Sequence, residues 1–193
     1  WKSEFGKWTA CATALGQDCT FYFSGEGNNL DPTSGGVLIA YNPNDGSEKW
    51  RVGRTDKVSR GGPVIAADGT LYLAGQDGKL IAYNSADGSV KWSYDLSGAS
   101  LVTPAIDNDG NIYVGDESGF FHVIDPDGNK KWKEIQLGSR VWSSATIGSD
   151  GTIYVAADQS DGTGKLYALR TNATGLASSS WPMRSKDAKH TGR

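Results

Sequence analysis

The chain has 193 residues, a formal net charge of −3 and 26 glycines. So small a charge, with no basic block, argues against a nucleic-acid partner held through phosphates. No apolar run approaches the roughly 18 residues of a membrane-spanning helix, and the sequence, opening at Trp1 without a visible leader, reads as processed or excerpted.

Taken in order, the first unit spans 1–49. It carries Trp1, Trp8, Cys11, Cys19 and the apolar run Thr20-Phe-Tyr-Phe23. A polar stretch, Glu26–Gly35, reads as a surface loop. The second unit, 50–91, shows the pattern most clearly. Between Gly61 and Trp92, short apolar runs (Pro63–Ala66, Thr70–Ala74, Lys79–Tyr83) alternate with Asp68-Gly69, Asp77-Gly78 and Asp87-Gly88. Asp-Gly between alternating segments predicts hairpins with type I′ turns, which need positive φ at both central residues. The stretch therefore reads as a four-stranded antiparallel meander. The third unit, 92–131, repeats it around Asn111-Ile-Tyr-Val114. The fourth, 132–180, repeats it around Thr152-Ile-Tyr-Val155 and is longer. A tail, 181–193, follows.

The units recur by more than turns. Trp1, Trp50, Trp92, Trp132 and Trp181 are spaced by 49, 42, 40 and 49 residues. A period near 40 with about four strands per period is the signature of a β-propeller blade. Helical repeats of similar period would need 3.6-residue apolar spacing and few glycines. The expected fold is all-β, a propeller array of four-stranded antiparallel blades, about four in this chain.

The two cysteines leave two states open. If the first unit keeps the geometry of the second, Cys19 takes the turn position of Gly69 and Cys11 that of Gly61, too far apart to bridge. If the hairpin is remodelled, Cys11 and Cys19 close a short-loop disulfide, which an extracytoplasmic setting favours. Their spacing is not that of a redox pair.

The end of each unit is the most specific feature. It reads Ala82-Tyr-Asn-Ser-Ala-Asp-Gly88-Ser-Val-Lys-Trp92, preceded by Ala40-Tyr-Asn-Pro-Asn-Asp-Gly46-Ser-Glu-Lys-Trp50. This resembles the tryptophan-docking motif of the PQQ-like, quinoprotein-type β-propeller repeats. The resemblance implies that Trp50, Trp92, Trp132 and Trp181 pack between blades over glycines of the Gly46, Gly88 and Gly128 type. A flat ring covering exposed glycine backbone is sound physics on its own. The third copy, Val123–Trp132, is one residue short, and the fourth stretches from Ala168 to Trp181. In repeat type the chain is similar to propeller lipoproteins of outer-membrane barrel assembly.

Family rings close with seven or eight blades. Three readings follow: the C-terminal part of a longer propeller with a missing N-terminal segment, two chains sharing one ring as a homo-oligomer or another assembly covering the open edges, or a compact four- or five-bladed ring whose tail completes the first blade.

No catalytic constellation stands out. Asp107–Asn111 fails as a calcium loop, since its twelfth position is Ser118. His122 reads as a packed residue, and His190 sits in a basic tail. No catalytic, cofactor or metal residue is assigned, and no cofactor is expected. Trp8 and Trp142 fall outside the Trp repeat and read as an interaction surface or as inter-blade packing. The expected function is a non-catalytic extracytoplasmic scaffold (secreted, cell-surface or periplasmic) for an unknown protein partner. The alternatives are a subunit of a surface filament or layer, and a fragment of a PQQ-dependent dehydrogenase.

Overall fold

The computed structural model describes residues 2, 13–26, 35–54, 61–187 and 189. Trp1, Trp8, Cys11 and His190 lie outside these residues.

Among the described residues all regular structure is β, in four antiparallel sheets. The first holds β1 (Ala14–Leu15), β2 (Phe21–Glu26), β3 (Gly36–Tyr41) and β4 (Glu48–Gly53). The second holds β5 (Val64–Ile65), β6 (Leu71–Ala74), β7 (Lys79–Tyr83) and β8 (Val90–Asp95). The third holds β9 (Ala105–Ile106), β10 (Ile112–Gly115), β11 (Phe120–Ile124) and β12 (Ile135–Gln136). The fourth has only three strands: β13 (Thr146–Ile147), β14 (Ile153–Asp158) and β15 (Gly164–Leu169). Every sheet is a simple meander in chain order. Trp50 and Trp92 lie within β4 and β8. The limits drawn at 49/50 and 91/92 thus fall inside fourth strands, and sequence unit and sheet are one repeat counted from different points.

The Asp-Gly turns differ from the type I′ expectation. Only the glycine has positive φ (84° at Gly69, 82° at Gly110, 79° at Gly151), and no Asp among the described residues does. In the tight hairpin at Asp68, Gly69 N donates to Ala66 O at 3.0 Å, and Ala66 N to Thr70 O at 2.9 Å. This is a type I turn closed by a left-handed glycine, the three-residue hairpin loop. The Asp side chain fixes it: Asp68 Oδ1 accepts from Thr70 N at 2.9 Å, and Asp150 Oδ1 from Thr152 N at 3.0 Å. Asp is selected for that local acceptor rather than for tolerance of positive φ. In the first sheet Cys19 occupies the glycine position with φ 61°.

The sheets stack face to face. Each presents a forward face to the next sheet, built from in-register positions. In the first sheet these are Tyr22, Ala40 and Trp50, with Leu38 and Val52 beside them. In the second they are Tyr72, Ala82 and Trp92, with Leu80 and Tyr94. Tyr22, Leu38 and Trp50 pack with Leu71, Leu73 and Tyr83 of the second sheet. Tyr72, Leu80 and Trp92 pack with Ile112, Val114 and Ile124 of the third. Tyr113, Phe121 and Trp132 pack with Ile153, Val155 and Tyr167 of the fourth. Each fully buried leucine of this set contributes about 2 kcal/mol.

The tail runs back across the array. Trp181 O accepts from Ile65 N at 2.8 Å, and Pro182 O from Ile106 N at 2.9 Å. Ala177 N donates to Ile106 O at 3.0 Å. The segment after β15 therefore pairs with the innermost strands of the second and third sheets. Among the described residues it pairs with no strand of the first sheet.

Candidate interaction surface

The inter-blade contacts are built from one recurring device. Trp50 lies opposite Ala40 and tilts over Tyr22 with ring centroids 5.9 Å apart. Its Nε1 donates to Ser85 O in the next sheet at 2.9 Å. A Cβ added at Gly88 would fall 2.7 Å from Trp50 Cε3. Trp92 repeats the arrangement over Tyr72 at 5.5 Å, with Nε1 donating to Pro126 O at 3.0 Å. A Cβ at Gly128 would fall 2.7 Å from Trp92 Cδ2. Gly46, φ 72°, closes the corresponding turn of the first sheet. The lysine before each indole is also placed. Lys49 Nζ reaches Asp18 Oδ2 at 3.2 Å and the Thr20 hydroxyl, while Lys91 Nζ donates to Thr70 Oγ1 at 2.6 Å and lies 3.5 Å from Asp68 Oδ2. Hydrogen bonds from the hydroxyl and amide of Thr20, then Lys49, hold the Asp18 carboxyl down at about 2.

The later indoles depart. The turn before Trp132, closed by Asp125 N donating to Asn129 O, is one residue shorter than that closed by Asn84 N donating to Ser89 O. Trp132 meets Tyr113 edge-on at 6.4 Å, outside any strand, and no glycine turn among the described residues lies beneath it. Trp181 sits in the tail, against the core between the first and second sheets, with Nε1 buried and unpartnered. Among the described residues, the fourth sheet thus has no Lys-Trp strand.

Its forward face is exposed as a result. Tyr154 pairs with Ala168 and Ala156 with Leu166, the same positions as Tyr72/Ala82 and Ala74/Leu80. Leu166 is 75% exposed and Tyr154 42%, whereas Leu80 and Tyr72 are at 0% and 2%. Trp142, 50% exposed, borders a hollow with Ala156 and Leu166. Its Nε1 donates to Glu117 Oε1 at 3.1 Å, and the Arg140 guanidinium stands 5.0 Å above the ring.

Three polar features were not foreseen. Buried His122 places Nε2 2.8 Å from Asp116 Oδ2, and Tyr94 meets its ring edge-on. Buried Arg54 spans two sheets, donating to Asp77 at 3.0 Å and to Tyr83 OH at 3.0 Å. Asp107 is a hydrogen-bond hub: it accepts from Asp109 N, Asn111 N, Asn111 Nδ2 and Tyr113 OH at 2.7–2.9 Å. Among the described residues no three His, Cys, Asp or Glu side chains gather as a metal site. Cys19 is exposed and free. One sequence signal marked the open sheet: after Leu169 come Arg170, Thr171 and Asn172, not a short turn leading to Lys-Trp.

The sequence profile of the family described as outer membrane protein assembly factor BamB matches residues 34–178. The chain belongs to that family. BamB from Moraxella catarrhalis is similar in structure, with a TM-score of 0.65 at 21% identity, over 95% of this chain and 50% of that one. A WD40 propeller domain of Doa1 (TM-score 0.61, 16% identity) covers 80% of this chain and 48% of that one. A streptogramin B lyase (TM-score 0.56, 17% identity) covers 83% and 55%. At these identities the likeness shows the propeller fold alone. The chain spans about half the length of these structures. No curated protein matches it. This BamB-family chain has, among its described residues, no helix long and apolar enough to cross a membrane.

Proposed function

We propose that the chain is a non-catalytic scaffold that works outside the cytoplasm by holding other proteins against its β-sheets. One observation carries this. Of the four large apolar side chains exposed among the described residues, three (Trp142, Tyr154 and Leu166) lie on or beside the fourth sheet. Exposed aromatic and aliphatic side chains gathered on one sheet in this way mark a protein-binding surface. The description of the matched family, an outer membrane protein assembly factor, supports both the protein partner and the extracytoplasmic setting. A catalytic reading finds less support. The buried His–Asp pair faces the adjoining sheet rather than a cleft, and a propeller fold imports no chemistry by itself, even beside a lyase of the same fold.

The test is a photo-crosslinking residue at position 142 in cell-envelope extract. A discrete protein adduct, lost when Arg140 and Glu117 are both changed to alanine, is the expected result. No adduct, together with a spectral change on adding PQQ and Ca²⁺, would replace the scaffold with a cofactor-dependent enzyme.

A further inference from the structure

The returning tail covers the first hairpin turns of the third and fourth sheets. Over the third, Gly175 O accepts from Asn108 N at 3.0 Å, and Asn108 Oδ1 accepts from Ser178 N at 3.2 Å. Over the fourth, a Cβ added at Gly151 would fall 1.9 Å from Ala173 O. In the second sheet Ala67 holds the position of Asn108, since Ala66 N donates to Thr70 O as Asp107 N does to Asn111 O. A methyl group cannot make the bonds of the Asn108 amide. There the tail pairs with Ile65 instead: Ser179 Oγ donates to Ile65 O at 2.6 Å, and Trp181 O accepts from Ile65 N. A Cβ at Gly69 would meet, among the described residues, the Ser85 hydroxyl alone, at 3.3 Å. A hollow of about 400 Å³ remains at this seam, between the first hairpin turns of the first and second sheets.

Its size lies in the range of small-ligand sites, and its walls are mixed as theirs are. Ile65, Ala66 and the Tyr22 ring give apolar surface, while Asp18 and Lys49 give charge. Asp18 accepts from Thr20 N, the Thr20 hydroxyl and Lys49 Nζ, three of about four lone-pair sites on a carboxylate. Lys49 Nζ donates to Asp18 and to the Thr20 hydroxyl, so one of its three N–H groups is left. A spare acceptor and a spare donor therefore lie side by side, on side chains 64 and 39% exposed. The charges are already matched. Lys49 lies 3.2 Å from Asp18, and Lys91 3.5 Å from Asp68 across the hollow. An anion would meet two carboxylates, and a cation would have to displace a lysine. A hydroxyl group, which gives and takes at once, meets both needs without charge.

We propose that this hollow binds a neutral sugar, one pyranose ring with neighbouring hydroxyls on Asp18 and Lys49 and its C–H face toward Ile65 and Ala66. A peptide fits less well, because Ala67 lacks the amide by which Asn108 holds the tail. The site goes beyond the scaffold reading and uses none of the Trp142 surface.

The test is an NMR titration of the whole chain, labelled with nitrogen-15, against D-glucose, D-galactose and D-mannose, and separately against acetate and methylammonium. Saturable shifts of the amides in Gly16–Thr20 and Ala66–Gly69 are expected with at least one sugar and with neither ion. Ala67→Phe and Ala86→Phe, both at exposed positions on the turns of the second sheet that line the hollow, should intrude on it without unfolding the chain. Each should weaken binding of that sugar about tenfold. No saturable shift with any of the three sugars overturns the proposal. So does saturation by acetate or methylammonium, since the ligand is then an ion. Sugar binding undiminished in both variants places the sugar elsewhere and overturns the site. If no sugar binds while the adduct at position 142 forms, the sugar site falls and the scaffold reading stands.

Discussion

At the level of single residues, glycine does two separable jobs. Gly88 has φ +75°, and an added Cβ would lie 2.7 Å from both Trp50 Cε3 and Val52 Cγ2. Gly162 has φ +81° with nothing within 4 Å. Alanine at either position meets the left-handed backbone cost of about 1 kcal/mol. Only at Gly88 must it also push back an indole held at its far end by Ser85 O, and overpacking of this kind costs about 2 kcal/mol more. Urea denaturation should therefore show Gly162→Ala losing about 1 kcal/mol and Gly88→Ala about 3 kcal/mol. Equal losses would mean that the ring over Gly88 contributes nothing beyond backbone strain.

Among the elements, the returning tail has no counterpart in the repeat. Its backbone satisfies donors on β5 and β9 that face no strand of their own sheets, and Met183 is buried at 2% exposure in the core between the third and fourth sheets. Met183→Ala should lower stability by about 3 kcal/mol. The amides of Ile65 and Ile106, which donate to Trp181 O and Pro182 O, should lose exchange protection together. Protection unchanged at both would show that the tail rests on the array without holding it. This element was illegible in the sequence for a physical reason. Gly175–Met183 has neither two-residue alternation nor a turn of its own, so its conformation is set by partners about 70 to 115 residues away. The spacing of Trp181 suggested a docking indole, although the residues that fix it are Ile65 and its neighbours. Hairpin number, by contrast, was plain in the Asp-Gly rhythm, and the forward face was marked by Tyr22, Tyr72, Tyr113 and Tyr154. The turn type was ambiguous because Asp-Gly suits both a type I′ turn and a type I turn closed by left-handed glycine. The exposed face of the fourth sheet was visible only in part: the sequence after Leu169 shows no short turn to a Lys-Trp pair, but not that Tyr154 and Leu166 stand exposed.

For the molecule as a whole, stacked sheets behave as a nearly one-dimensional array in which each unit is held by itself and by its neighbours. The second and third sheets have a neighbour on each face. Among the described residues the fourth has one on its rear face only, and Tyr154 and Leu166 are exposed where Tyr72 and Leu80 are buried. Two such side chains left in water forgo about 2 kcal/mol each. The hydrogen-bonded amides between β14 and β15 should then open at a free energy about 4 kcal/mol below those between β6 and β7. Native-state hydrogen exchange in low urea reads this directly, since the two hairpins are joined by the same backbone pattern and differ in what covers them. If both open together, the array unfolds as one unit and the exposed face is no weak point. If the fourth sheet opens first, the uncovered forward face at Tyr154 and Leu166 sets the order in which the array comes apart.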